Sequence, residues 1–370
     1  MVPPPGLGRR LRARARPLVA AAAAVPGADR YRETFRARDH LWILLLHVLA
    51  GGDSLRQTHA ALAARGFAGL RLPAGVSLSQ LARSSTSRPA APFEALLADL
   101  VARARRSAAR DPARAALAKV QAVDSSFVAL SAKLAPWAVH EAHPAGVRVH
   151  AGLDLAGEIP SSLVVTGTDA HDAAAFDRRD LAELRGWTVV FDLGYTGHAR
   201  FVRLRAGGVS FLCRLHPQAT WAAARPRPVD AAPTADGDVV EADETVDLGS
   251  PRSHRGAVVR GVRLVAYRTA AGEAHRLVTD RHDLAAADVV ALYRRRWRIE
   301  LFFRFLKRQL KAVRPFGRSE AAVRPTVLVC AAAALLAMLL DDARGPAVSR
   351  VAFARAPGAV LLPRRRCGPG

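Results

Sequence analysis

Residues 293–307, Y-R-R-R-W-R-I-E-L-F-F-R-F-L-K, constrain the chain more than any other stretch. Asp283 followed by Leu284-Ala285-Ala286-Ala287 has the form of an N-cap and first turn, which predicts a helix from about residue 284. At about 100° per residue, Tyr293, Arg296, Glu300, Arg304, Lys307 and Lys311 share an arc of roughly 80°. Beside that arc runs a fully apolar stripe of Ile299, Phe303, Leu306 and Leu310. One face must enter a core, and the adjacent face carries one carboxylate among cations and a phenol. On a surface helix a lone Glu–Lys pair is ordinarily charge neutralisation in solvent. This helix is too apolar for that, and buried charge is costly unless it is paired, hydrogen-bonded or bound to a metal. A cation-binding carboxylate, with Arg, Lys and Tyr nearby to hold phosphate oxygens, accounts for the whole face.

The chain has 370 residues, enough for two or three domains. Lysine plus arginine total 55 against 32 acids, a formal net charge of +23. Such an excess favours a polyanionic partner, nucleic acid first. A GC-rich genome also enriches arginine and alanine, so charge alone does not decide. Cys213, Cys330 and Cys367 lie far apart without metal-ligand spacing, so the chain reads as intracellular and cytoplasmic, with no disulfide framework. The longest apolar run, 327–340, has the length of a buried helix rather than of a membrane span. Residues 1–28 are rich in Pro, Arg and Ala and read as a disordered basic arm, with only a superficial likeness to an export signal.

Residues 29–112 read as a small helical domain. One apolar helix over 41–49 is closed by Gly51-Gly52, and Asp53 or Ser54 caps the next, which ends at Gly66. Ser77-Leu78-Ser79-Gln80 has the form of a capping box, and a further helix runs from 93 to about 110. Arginines 56, 65, 71, 83 and 88 spread among these helices suit DNA binding, and a plain bundle with a solvated face suits them equally. From Lys119 the texture changes. Strands are predicted over 119–124, 147–155 and 161–166, then a helix over 170–184 capped by Asp169. A strand over 188–192, a helix over 198–205 and a strand over 209–215 follow. That order fits an α/β sheet of the ribonuclease H kind, with 113–216 as its first part. Residues 217–283 read as a β-rich insertion, a loop over 217–237 followed by strands over 239–248, 257–267 and 275–279. The core resumes over 284–343, with a buried helix over 326–340, and 344–370 reads as a flexible tail.

Three acids stand out by position. Asp124 ends the first strand of the α/β region, Asp192 ends the strand after the helix, and Glu300 lies on the long helix. In such a sheet the first and fourth strands are neighbours, so both aspartates project from one edge and the helix brings Glu300 opposite them. Three hard oxygen ligands with positions left for water and phosphate suit Mg2+ or Mn2+. Two such ions can activate an attacking hydroxyl and stabilise a departing 3′ oxygen. Each acid also has a plainer reading: Asp124 before Ser125-Ser126 as a turn cap, and Asp192 before Leu193-Gly194 as a loop aspartate. Asp154 and Asp172 are rivals, the first on an alternating strand that turns it to solvent, the second suited to capping a helix. His150 and His171 lack a partner at metal-ligand spacing and read as structural or surface groups.

Tyr293-x2-Arg296-x3-Glu300-x6-Lys307 resembles the Y-R-E-K signature of bacterial DDE transposases of the insertion-sequence-four family, in all four residues and all three gaps. Val123-Asp124-Ser125-Ser126 resembles that family's first acidic motif, and Phe191-Asp192-Leu193-Gly194-Tyr195 its second. The texture of Arg148-Val149-His150 through His171-Asp172, of Gly317-Arg318-Ser319-Glu320 and of Gly52-Asp53-Ser54-Leu55-Arg56 is similar too, so the resemblance covers roughly 35–342. It implies a ribonuclease H-like catalytic core interrupted by a β-rich insertion. It also implies ligation of two divalent ions by Asp124, Asp192 and Glu300, and phosphate contacts by Tyr293, Arg296 and Lys307. The implied partners are double-stranded DNA, both terminal inverted repeats and target, and a second copy of the chain in a homodimer. The implied reaction is hydrolysis at the transposon ends, then attack of the freed 3′-OH on target DNA. In such enzymes an aromatic can support a flipped base, for which Trp297 and Trp221 are the candidates, with a core or loop tryptophan the plainer reading of each. A catalytically inactive DNA-binding relic or repressor is the alternative.

Overall fold

The computed structural model describes residues 7–30, 33–49, 54–65, 76–108, 117–129, 145–167, 172–229, 232–250, 258–313 and 320–342. The chain divides into two compact units, one of residues 1–107, 128–146 and 303–370, the other of 108–127 and 147–302.

The first unit is helical. It holds α1 (Leu7–Ala23), α2 (Ala37–Leu49), α3 (Leu55–Arg65), α4 (Leu78–Ser87) and α5 (Ala91–Ala108), and late in the chain α10 (Glu320–Asp342). Helix α2 is apolar around almost its whole circumference, so it can only be central. Helices α1 and α10 pack on α2, and α10 also meets α4. Polar groups inside this bundle find partners: His47 Nδ1 lies 2.6 Å from Thr58 Oγ1, and His40 Nε2 lies 3.0 Å from Ser85 Oγ. Ser77 caps α4 as its motif predicts, its hydroxyl accepting from the Gln80 amide. Helix α1 corrects the expectation of a disordered arm. Ala15, Leu18, Val19 and Ala22 recur at helical spacing and are buried, so a segment rich in Arg and Ala still presents one complete apolar stripe. The predicted Gly51-Gly52 closure, the glycine end at Gly66, Asp169, His171, the Gly317 turn and the 344–370 tail lie outside the described residues.

The second unit is built on one mixed sheet. Its strands are β1 (Val120–Ala129), β2 (Gly146–Asp154), β3 (Ile159–Thr166), β4 (Thr188–Phe191), β5 (Ser210–Arg214), β6 (Trp221–Pro226), β7 (Val239–Leu248), β8 (Val259–Arg268) and β9 (Ala274–Thr279). They lie in the order β3-β2-β1-β4-β5-β9-β8-β7-β6. Strands β1, β4 and β5 run parallel, with Val120 opposite Thr188 and Thr188 opposite Ser210. Strand β9 pairs antiparallel with β5, so the late strands prolong the same sheet. Strand β6 falls inside the stretch read as a loop. Its residues after Trp221 are exposed and include three consecutive alanines, so no inward–outward alternation marks it.

Helices flank this sheet. The predicted helix over 170–184 is shorter: α6 covers Asp172–Asp177, and a separate single turn covers Ala182–Leu184. The Asp180 carboxylate accepts the Ala182 amide and starts that turn, which competes with continuing α6. Helix α7 (His198–Ala206) lays Phe201 flat on Phe211 of β5, with ring centroids 4.3 Å apart. The long helix is α8 (Ala286–Arg295) followed by α9 (Trp297–Val313), interrupted at Arg296. It begins later than Asp283 predicts because both Asp283 oxygens are held by Arg281 at 2.7 Å, and Ala285 occupies the cap without a side-chain bond.

Two ion pairs from the late strands seat α8. Arg263 of β8 and Asp243 of β7 form a fully buried bidentate pair, and Arg263 also donates to the carbonyls of Arg281 and Leu284. Asp238, fully buried, receives a bidentate contact from Arg294 near the end of α8.

Candidate active site

The parallel register of β1 and β4 does most of the assembly. Ala122 lies opposite Val190, and carrying that register two residues further sets Asp124 opposite Asp192. Asp192 is the first residue after β4. Its carboxylate accepts the Gly194 amide at 2.9 Å, and its carbonyl accepts from the Cys213 thiol at 3.2 Å. Glu300 lies in the first turn of α9. The Arg296 guanidinium joins the helix to the strand edge. Nη2 is 2.7 Å from Glu300 Oε1, and Nη1 is 3.7 Å from Asp124 Oδ2. Tyr293 stands one turn earlier, its ring 5.9 Å from that guanidinium carbon.

Charge crowding is legible in the titration of Asp124. Burial, then the carboxylates of Asp192 and Glu300, push its carboxyl up to about 6, against the Ser125 amide bond at 2.7 Å and the Arg296 charge. Asp124 thus feels both other acids. The Tyr293 phenol is pushed up to about 12, chiefly by burial, so it stays a hydrogen-bond donor near neutral pH.

Five of the six predicted residues therefore belong to one neighbourhood of the sheet unit. Lys307 lies seven residues beyond Glu300 on α9, half-buried, in the stretch that belongs to the helical unit. The rivals fare differently. Asp154 is buried rather than turned to solvent, because β2 is an interior strand between β1 and β3, and it accepts the Ala156 amide. Asp172 lies at the margin of the site. Arg148 Nη1 reaches its carboxylate at 2.8 Å and Ser125 Oγ at 3.4 Å. The buried Tyr195 phenol is raised by burial, then by Asp172, Asp124 and Asp192. The signal for Arg148 was present in its outward position on an alternating strand, but nothing in the sequence pairs it with Asp172. His150 bonds Thr166 Oγ1 at 2.9 Å and is structural. Trp221 lies beneath the Arg276 guanidinium, whereas Trp297 is 50% exposed at the start of α9.

A carboxyl raised first by burial and further by two neighbouring carboxylates is charge that a divalent cation relieves, so the oxygen donor set fits Mg2+ or Mn2+ in kind. Among the described residues, no three His, Cys, Asp or Glu side chains stand close enough to share an ion as they are placed. Sharing one requires the carboxylates to draw together and Arg296 to yield part of its contact. Among the described residues, no helix is long and apolar enough to cross a membrane.

The Transposase DDE domain family matches residues 116–336, more than half of the chain. A Sinorhizobium fredii protein assigned as transposase y4zB is 28% identical over 244 residues, 66% of this chain and 66% of its own length. A Geobacillus stearothermophilus protein assigned as a transposase for insertion sequence element IS5377 is 26% identical over 204 residues, 55% of this chain. The chain spans only 52% of the length of that second relative. A cryo-EM structure of the piggyBac transposase synaptic complex with hairpin DNA aligns at a TM-score of 0.41 and 10% identity, covering 93% of this chain and 76% of that one. With its strand-edge acids inside the matched segment, the chain belongs to the transposase DDE domain family.

Proposed function

We propose that the chain is a metal-dependent DNA transposase with a ribonuclease H-like core, of the insertion-sequence-four type, that cleaves transposon ends and joins the 3′-OH to target DNA. The observation that carries the reading is the register of β1 and β4, which brings Asp124 level with Asp192 where Arg296 ties in Glu300. Asp124, Asp192 and Glu300 would hold Mg2+ or Mn2+. The bound ions supply Lewis-acid activation of the attacking hydroxyl and charge neutralisation at the leaving oxygen.

The other groups bind and orient. Tyr293, protonated at neutral pH, donates to a phosphate oxygen. Arg296, held by Glu300 and near Asp124, offers its remaining donors to the same backbone. Lys307 contacts phosphate further along the helix, and Trp297, exposed at the start of α9, would support an unstacked base. The helical unit would serve as a DNA-binding domain, with two copies of the chain acting together on paired ends in the cytoplasm. The test is magnesium-dependent cleavage of a duplex carrying the flanking inverted repeats, followed by strand transfer to a plasmid. Glu300→Gln should abolish cleavage and leave DNA binding nearly intact. Lost binding with a folded variant would instead make Glu300 a structural residue.

A further inference from the structure

Asp192 stands where the sheet no longer holds it. The ladder of β4 with β1 ends at Val190 opposite Ala122, and its ladder with β5 ends at Phe191 opposite Cys213. Asp192 comes next, and the chain then makes a single tight turn over Leu193–Tyr195. Asp192 Oδ1 accepts the Gly194 amide at 2.9 Å, and a Cβ on Gly194 would stand 3.3 Å from that oxygen, so the turn wraps the carboxylate. The Thr196 amide closes the turn on the Leu193 carbonyl at 3.1 Å. The carboxylate therefore moves with the turn and points wherever the turn is fastened. The other two acids lie inside regular elements, Asp124 in β1 and Glu300 in α9, whose own main-chain bonds hold them.

Two side chains fasten the turn to β5. At its entry the Cys213 thiol donates to the Asp192 carbonyl at 3.2 Å and is shared with the Arg214 carbonyl at 3.3 Å. At its exit the Thr196 hydroxyl donates to the Arg214 carbonyl at 2.9 Å. A thiol is a weak donor, so the Thr196 bond is the stronger fastening. The opposite side of the turn is anchored in the core. The Tyr195 ring stacks on Phe191 at 5.2 Å between centroids. Arg200 of α7 donates to the Tyr195 carbonyl and is itself held by both Asp177 oxygens, at 2.7 and 2.8 Å. The exit toward β5 thus depends on one hydroxyl.

We propose that Thr196 is a positioning residue for Asp192: its bond to β5 fixes the exit of the turn, and with it the bearing of the carboxylate toward Asp124 and Glu300. The inference rests on the metal-dependent reading above and gives that site a support outside its ligands. Among the described residues the acids do not stand close enough to share an ion as they are placed. An ion must draw them together, and a turn free to swing adds an ordering cost to that step. Supports of this outer kind are worth about 10–100-fold in metal affinity. Thr196 acts through the main chain rather than on the carboxylate itself, which sets its effect at the lower end.

The test is Mn2+ binding by the full chain, followed through the electron paramagnetic resonance of the free ion during titration, with the thermal midpoint measured in chelator. Thr196→Val keeps the side-chain shape and removes the hydroxyl, while the Arg214 carbonyl retains its bond from Cys213. It should weaken Mn2+ binding about tenfold. Thr196→Ser keeps the hydroxyl and should bind Mn2+ as the wild type does. Thr279→Val is the control for a purely structural bond of the same kind, because the Thr279 hydroxyl donates to the Phe211 carbonyl of β5 at 2.6 Å. That control should lower the thermal midpoint and leave Mn2+ affinity unchanged. If the valine is not accommodated, Thr196→Ala carries the same expectation. Wild-type affinity in Thr196→Val, an equal loss in Thr196→Ser, or a loss no larger than in Thr279→Val overturns the inference. Asp192→Asn separates the two kinds of failure. If it binds Mn2+ as the wild type does, the metal reading of Asp192 falls and this inference with it; if it loses Mn2+ while Thr196→Val keeps it, this inference alone falls.

Discussion

Asp124 shows what the site costs the fold. Its carboxyl is raised from an ordinary 3.8 to about 6 by burial and by two neighbouring carboxylates. A raised acid means that the folded chain holds its proton more tightly than the unfolded chain does. Stability should therefore rise as pH falls from above 6 toward 4, and this gain is absent at higher pH. Asp124→Asn, assayed in chelator, should raise the thermal midpoint at pH 7.5 by an amount corresponding to roughly 1–3 kcal/mol, and the difference should vanish near pH 4. A variant less stable than wild type at pH 7.5 would show that the Arg296 contact outweighs the burial of charge. The thiols make a separate case. Burial pushes both Cys213 and Cys330 up to about 12, so neither is a useful nucleophile in the native chain. Peptide-level mass spectrometry after brief alkylation should find both unmodified without denaturant and labelled in urea.

At the scale of elements, the two ion pairs from the late strands decide where α8 lies. Asp238 holds Arg294, and the Arg263–Asp243 pair holds the main chain just before the helix. Arg263 and Asp243 are both buried, so removing one leaves the other charge uncompensated at a cost of about 3–5 kcal/mol, whereas Arg294 is 36% exposed and loss of Asp238 removes mainly the bonds that it accepts from Arg294 and the Ala270 amide. Asp238→Ala should therefore lower the thermal midpoint and speed amide exchange along α8 more than along α7. Equal exchange in the two helices would mean that Asp238 does not seat α8. Helix α1 makes a parallel prediction in the other unit. Leu18 and Val19 each bury a side chain worth about 1.5–3 kcal/mol, so deleting residues 1–23 should destabilise the helical bundle, whereas a dispensable arm would leave its unfolding unchanged. These elements also show what the sequence could reveal. The strand over 147–155 was legible from its alternation, that over 188–192 as a short apolar run ending in an acid, and Ser77 because a cap is a local bond. Helix α1 was missed because arginine and alanine dominate its composition while, among the described residues, four positions carry its packing. Strand β6 was missed because an edge strand with exposed alanines has no alternation to read. Among the site residues, the acids and the Y-R-E spacing were legible as residue types at fixed gaps. The Arg148–Asp172 pair was not, because it depends on a tertiary approach.

At the scale of the whole chain, a net charge of +23 is distributed over surfaces with different tasks. Arg296 neutralises acids, Arg263 and Arg294 lock the scaffold, and Arg185, Arg205 and Arg260 are exposed. Binding to random duplex DNA should therefore be strong at low salt and fall steeply as salt rises, since counterion release drives it. An affinity that changes little over the same range would argue against backbone recognition. One end of the nine-stranded sheet bears on how copies of this chain meet. Strand β6 ends in Pro226, slips register between Ala222 and Arg225, and directs charge outward there. A proline offers no amide, and a bulge bends the hydrogen-bonding edge away from a flat neighbour. That border is therefore poorly suited to continue from one molecule into the next, which protects a strand-rich protein from stacking into fibres.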